Sequence, residues 1–169
     1  MTDVPLRRTD ADWHCATEAD TQAFAQRLAQ HPLVGDALIA LHGDLGAGKT
    51  TLVRYLLRAL GVQGRIKSPT YAVVEPHHAP ASEHWPAGLN IWHFDFYRFN
   101  DPREWEDAGF RELFAQPGLK LVEWPEKASG VLPLMDLEIT LTTMDDDSRQ
   151  LNLRANSVRG ATLLEQLTS

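Results

Sequence analysis

The stretch Gly43-Asp44-Leu45-Gly46-Ala47-Gly48-Lys49-Thr50-Thr51 constrains this chain more than any other. A glycine, four residues and then Gly-Lys-Thr is the spacing of a phosphate-binding loop. Here an apolar run, Ala37 to Leu41, precedes it, and a helical stripe of Leu52, Val53, Leu56, Leu57 and Leu60 follows. Strand, loop and helix in that order are what the pattern requires. Gly43, Gly46 and Gly48 let the backbone turn tightly and approach an anion with no side chain in the way, so that successive N–H groups can face phosphate oxygens. A helix starting near Lys49 directs the positive end of its dipole at the same place. Lys49 then brings charge to the terminal phosphates, and the Thr50 hydroxyl can ligate a magnesium ion that bridges them. Residues 43 to 51 are therefore candidate nucleotide contacts, and a purely structural glycine-rich turn is the alternative.

Bulk properties narrow the classes. The 169 residues, 43% hydrophobic and 23% charged, suit one soluble domain spanning 1–169 with a real core. The single cysteine, Cys15, excludes an intramolecular disulfide and reads as a packing residue in a reducing compartment. No N-terminal segment joins a basic flank to an apolar core, and no apolar run approaches about 18 residues. Export and membrane insertion thus lack a signal, and the expected location is cytoplasmic. A net charge of −7 with no Lys/Arg stripe gives little of the counterion-release affinity that nucleic-acid binders use. If RNA is involved, another protein holds it.

Along the chain, Thr17 with Asp20 three residues on resembles a capping box, and Ala19, Ala23, Phe24 and Leu28 share a helical face. The spacing predicts a helix from 18 to 30, ended by His31-Pro32. Thr17 is either a plain N-cap or, since the base often lies against segments flanking such a loop, a base contact. In Ser68-Pro69-Thr70 the proline stiffens the segment, and Thr70 belongs either to an ordinary turn or to a switch-like segment that senses the third phosphate and magnesium. Tyr71 to Glu75 and Leu89 to Phe94 read as a hairpin joined by a long polar loop, 76–88. His77, His78 and His84 read there as solvated loop histidines, lacking the spacing of a metal site.

Asp95 ends the second of these strands within His93-Phe94-Asp95-Phe96-Tyr97-Arg98. That is where a phosphate-loop protein needs its second acidic group, holding magnesium directly or through water; a turn or cap is the competing reading. Asp101-Pro102-Arg103-Glu104 reads as a helix start, with helix resuming through Leu113 and Phe114. A further strand, Gly118 to Val122, delivers Glu123-Trp124-Pro125-Glu126. Glu123 stands at a strand's carboxyl end, where ligands collect in open α/β sheets, and can coordinate magnesium or orient an attacking water. Trp124 shares that turn; a stiff acidic turn is the alternative. Alternation at Leu137, Ile139 and Leu141, then at Leu151, Leu153 and Ala155, brackets Asp145-Asp146-Asp147 as the solvated turn of an antiparallel hairpin. Residues 158–169 read as a C-terminal helix. The expected fold is α/β: a P-loop NTPase-like three-layer sandwich with a mainly parallel central sheet and antiparallel hairpins at its edges.

Four motifs therefore stand in order: the loop at 43–51, Ser-Pro-Thr at 68–70, His-Phe-Asp-Phe-Tyr-Arg at 93–98 and Glu-Trp-Pro-Glu at 123–126. Together, over residues 15 to 155, they resemble the bacterial TsaE family, the small ATPase of tRNA threonylcarbamoyladenosine biosynthesis. The resemblance implies ATP and Mg2+ as cofactors and hydrolysis that is slow alone and stimulated by partners. It also implies association with the two-protein threonylcarbamoyl transferase complex, tRNA being met only indirectly. Carried over by position, Lys49 contacts phosphates, Thr50 magnesium, Asp95 fills the acidic strand-end role, and Glu123 meets magnesium or the water. Lys49, Asp95 and Glu123 are thus the expected catalytic set and Thr50, Asp95 and Glu123 the metal set, with Thr70 in the switch-like segment and Trp124 in its surroundings. The 76–88 loop looks longer than the family's usual connection, and the last ten residues resemble nothing in it. Two other readings stay open. A small-molecule kinase needs a second substrate pocket and commonly an Arg-bearing lid, for which the short loops offer no insertion. A nucleotide-gated binding module without turnover needs about 5.5 kcal/mol of differential binding to switch fully.

Overall fold

Among the described residues, seven strands form one sheet in the order β1-β7-β6-β2-β5-β4-β3. The computed structural model describes residues 9–69, 73–101, 103 and 109–169. The strands are β1 (Asp10–Cys15), β2 (Leu38–His42), β3 (Val74–Ala79), β4 (Leu89–Asp95), β5 (Leu119–Glu123), β6 (Leu137–Thr143) and β7 (Arg149–Ala155). The four central strands, β6, β2, β5 and β4, run parallel, while β3 at one edge and β7 and β1 at the other pair antiparallel. The expected parallel centre with edge hairpins is therefore present, and the four central carboxyl ends open at one edge of the sheet.

Strand alternation decides which cover each residue meets. Ile39 and Leu41 of β2, Ile91 of β4, Leu119 and Leu121 of β5, Leu137, Ile139 and Leu141 of β6, and Leu151 and Leu153 of β7 join one core cluster. Helices α1 (Glu18–Ala29), α2 (Lys49–Ala59) and α4 (Val158–Thr168) supply its other half through residues such as Phe24, Leu28, Leu52, Leu56, Leu163 and Leu167. The opposite face, with Ala40, Phe94 and Val122, is covered by Phe96, Phe99, Ala128, Met135 and the short helix α3 (Phe110–Ala115). Cys15 is buried in the first cluster as a packing residue.

The helix starts differ in a way that bears on function. Thr17 caps α1 reciprocally, accepting from Asp20 N while its own N–H donates to Asp20 Oδ2 at 3.0 Å. Ser157 caps α4, accepting from Gly160 N at 3.0 Å. The α2 start has no side-chain cap: Gly48 sits there in the left-handed region at φ 104°. Its first amides are left to whatever occupies the loop.

One expectation is corrected. β3 runs on through Ala79, so Pro76, His77 and His78 are strand residues and not part of a loop. Pro76 is tolerated because β3 is an edge strand, where a missing N–H costs no ladder bond. His78 Nδ1 pairs with Asn90 Oδ1 across the hairpin at 3.1 Å, His77 has its Nε2 buried, and only His84 is an exposed loop histidine. The chain after α1 also makes a 3-10 turn, Pro32–Asp36, in which the His31 ring accepts from Leu33 N at 3.0 Å. Pro102 and Glu104 of the expected helix start lie outside the described residues, as does Thr70. Among the described residues no helix is long and apolar enough to cross a membrane.

Candidate functional site

Parity along two strands brings the acids together. In β4, His93 and Asp95 share the Ile91 side, and in β5, Glu123 shares the Leu121 side; both sides carry α2. Asp95 and Glu123 are direct register partners in the parallel β4–β5 pair. The loop leaving the carboxyl end of β2 begins α2 above them, and Thr50 Oγ1 donates to the Glu123 carboxylate, 3.3 Å from Oε1 and 3.4 Å from Oε2. These are long, shared contacts, weaker than a bond at about 2.8 Å, and leave the pair able to yield to another partner.

Glu123 is only 2% exposed. Its Oε2 lies 2.5 Å from His93 Nε2, and His93 is 1% exposed. A carboxylate can only accept, so the ring donates through Nε2, which leaves His93 Nδ1 as the buried atom without a partner. The bond fixes the orientation of Glu123 as an outer ligand partner would. The structure adds His93 to the residues expected from sequence: its place two residues before Asp95 on a strand is the signal that could have found it.

Lys49 is buried, and its Nζ donates to its own loop at Gly43 O and lies 3.6 Å from the centroid of the Trp124 ring. Trp124 takes the left-handed conformation at φ 56°, rare for a bulky residue, in the turn that follows Glu123. Tyr97 packs against the same indole at 4.9 Å between centroids. Burial pushes the Lys49 ammonium below its ordinary value, opposed by the carboxylates of Glu123, Glu126, Asp95 and Asp44. Lys49 thus stands among acids with its charge poorly hydrated, a state that phosphate would relieve.

Burial likewise pushes the Asp95 carboxyl up; Glu123 adds to this, while the Tyr97 N–H at 2.9 Å, His93 and Lys49 oppose it. The folded chain then holds that proton more tightly than the unfolded chain. Stability falls as pH rises from the ordinary carboxylate value to the raised one. Asp95→Asn is therefore expected to melt higher than the natural chain at pH 7, with the gain disappearing below about pH 4. Thermal melts of both proteins across that range check it, and an unchanged or lowered melting point at pH 7 counts against the burial penalty.

The remaining expected contacts divide into two groups. Ala47, Gly48, Thr51 and Thr17 line a cleft of about 270 Å³ beside the loop, together with Cys15, Thr21 and Arg149. Thr17 is thus both the N-cap of α1 and a wall of that cleft. Asp44, Leu45 and Gly46 form the exposed loop tip, with Leu45 69% exposed. Gly43, at φ 148°, has no room for a side chain: a Cβ would stand 2.7 Å from Leu141 O. Among the described residues no group of three or more His, Cys, Asp or Glu could hold a metal. The oxygen donors present are the Thr50 hydroxyl and the neighbouring carboxylates of Glu123 and Asp95, which suit a magnesium ion that takes its other ligands from phosphate and water.

Comparison with known proteins agrees with the four motifs. The model of the family "Threonylcarbamoyl adenosine biosynthesis protein TsaE" matches residues 15–151. The chain is 40% identical over 146 residues to the tRNA threonylcarbamoyladenosine biosynthesis protein TsaE of Haemophilus influenzae, covering 86% of this chain and 87% of that one. It is 34% identical over 156 residues to the protein of the same name from Bacillus subtilis, covering 92% of each. The crystal structure of YdiB from Bacillus subtilis superposes with a TM-score of 0.75 at 26% identity, covering 98% of this chain and 97% of that one. With a family match spanning both strand-end acids and the glycine loop, and relatives alike over nearly their whole length, the chain belongs to the TsaE family of threonylcarbamoyladenosine biosynthesis.

Proposed function

We propose that this chain binds Mg-ATP in the 43–51 loop of a P-loop NTPase-type fold and hydrolyses it in the cytoplasm. Hydrolysis is slow alone and faster with the threonylcarbamoyl transferase complex, whose formation of threonylcarbamoyladenosine in tRNA it supports. The observation that carries the proposal is the Thr50–Glu123 pair. A hydroxyl at the start of α2 and a carboxylate at the end of β5, 73 residues apart in sequence, meet directly over the Asp95 register partner.

Each residue then has a task. The loop amides and the uncapped start of α2 bind phosphate oxygens. Lys49 exchanges the Gly43 carbonyl for the terminal phosphates, where its charge is better used than over the Trp124 ring. Thr50, Asp95 and Glu123 would hold magnesium, which when bound supplies charge against that developing on the phosphate oxygens. Glu123, fixed by His93, accepts a hydrogen bond from the attacking water. The water oxygen joins the γ-phosphorus as the bond to the bridging oxygen breaks; ADP leaves with that oxygen, and the water's protons leave on the released phosphate and to solvent.

Steady-state ATP turnover with and without the partner complex tests the proposal. Stimulation of at least about tenfold is expected, since one arginine supplied in trans in this chemistry is worth about 10³–10⁵ in rate. Equal rates in both conditions contradict it.

A further inference from the structure

Arg149 opens β7, and that strand's reversal brings its first residue to the loop edge of the sheet, although 102 residues separate Arg149 from Ala47. Parity with Leu151 and Leu153 puts the side chain on the α2 face. The guanidinium is held by carbonyls on both sides. Nη1 donates to Asp147 O at 2.7 Å, within its own turn, and Nε donates to Ala47 O at 3.0 Å, in the phosphate loop. The turn that grips it is itself braced: Asp147 takes φ 66°, Met144 N donates to Ser148 O at 2.9 Å, and the buried Ser148 hydroxyl donates to Asp146 Oδ1 at 2.5 Å. The arginine is therefore presented to the loop by a fixed element.

Ala47 O and Gly48 N–H belong to one peptide plane and, in a trans peptide, point in opposite directions. Whatever fixes the carbonyl fixes the amide. At this position the plane needs fixing, because Gly48 is left-handed at φ 104° and glycine alone is free to rotate through other conformations there. The adjacent anchor, Ala47 N to Asp44 O at 3.1 Å, holds the preceding peptide and not this one.

We propose that Arg149 is a positioning residue of the phosphate loop: by drawing the Ala47 carbonyl toward β7, it keeps the Gly48 amide turned inward to meet a phosphate before the nucleotide arrives. This rests on the nucleotide reading above. An amide that meets phosphate in both ground and transition states contributes uniform binding, so its misplacement shows in KM and not in kcat.

The test uses the full chain with Arg149→Ala, Arg149→Lys and the strand control Arg154→Ala. For Arg149→Ala, KM for Mg-ATP is expected to rise about 10- to 100-fold, the worth of a hydrogen bond to a charged group, with kcat changed less than about threefold. Arg149→Lys, which can still donate to the carbonyl, should recover part of the loss, and Arg154→Ala should match the natural chain. In the nucleotide-free protein the Gly48 amide resonance should shift, and its hydrogen exchange quicken, in Arg149→Ala but not in Arg154→Ala. An unmoved Gly48 amide, or a fall in melting temperature with KM unchanged, overturns the inference. If the natural chain fails to bind Mg-ATP, the nucleotide reading falls, and the Gly48 amide still decides whether Arg149 anchors the loop.

Discussion

Glu123→Ala is expected to lower ATP turnover by about 100- to 1,000-fold, the range typical of removing one group aimed at the reacting phosphate or water. It should also destabilise the fold. His93 is 1% exposed and already has one nitrogen without a partner; removing the carboxylate leaves the second unpartnered as well, at a cost of about 1–3 kcal/mol. Glu123→Gln separates these effects. Its amide oxygen still accepts from His93 Nε2, so most of the stability should return, while the lost charge keeps turnover low. Thr50→Val should resemble Glu123→Gln in rate, and the double variant should be little worse than either, because groups that act as one unit do not add. Turnover measured beside thermal melts checks the set. Full activity in Glu123→Gln would show that the pair is structural only, and additive losses in the double variant would show that the two residues do not act as one unit.

The second large effect is far from the loop. In an ordinary helix Gly→Ala stabilises by about 1 kcal/mol. In α4 the sign should reverse: a Cβ on Gly160 would stand 1.8 Å from Asp136 O and 2.7 Å from Asp136 C, both backbone atoms. They cannot move freely, because Asp136 ties three elements together. Its side chain accepts from Leu38 N at 2.8 Å and from the Ser157 hydroxyl at 2.6 Å, while its backbone N–H donates to Leu38 O at 2.8 Å. Gly160→Ala is expected to cost at least about 3 kcal/mol, about 10 °C in melting temperature for a chain of this size. Asp136 lies at the amino end of β6, opposite the loop, so turnover per folded molecule at low temperature should be unchanged. A melting temperature equal to or above that of the natural chain would show that α4 can draw back.

Much of the fold is legible in the sequence. The alternation at Leu137, Ile139, Leu141, Leu151 and Leu153 is a period of two with an acidic turn between, and it formed the hairpin as read. The loop, its strand and its helix carried their own punctuation. Past Glu75 the sequence of β3 resembles a loop, with Pro76 followed by two histidines, and the proline is acceptable in a strand only because β3 lies at the sheet edge. Asp95 and Glu123 are recognisable in the sequence as strand ends; that they are register partners depends on β5 inserting between β2 and β4, which no local pattern encodes. His93 follows from Asp95 by parity, but its partner does not. Arg149 was beyond reach, since its contact with Ala47 arises only once β7 returns antiparallel beside β6.

Calorimetric titration of Mg-ATP into the full chain, beside Lys49→Met, tests the central claim most directly. The expected result is a saturable heat for one site per chain that Lys49→Met abolishes, because the ammonium held between the loop carbonyl of Gly43 and the Trp124 ring is then gone. An absence of heat at every pH and salt concentration, or identical titrations for the two proteins, would contradict it.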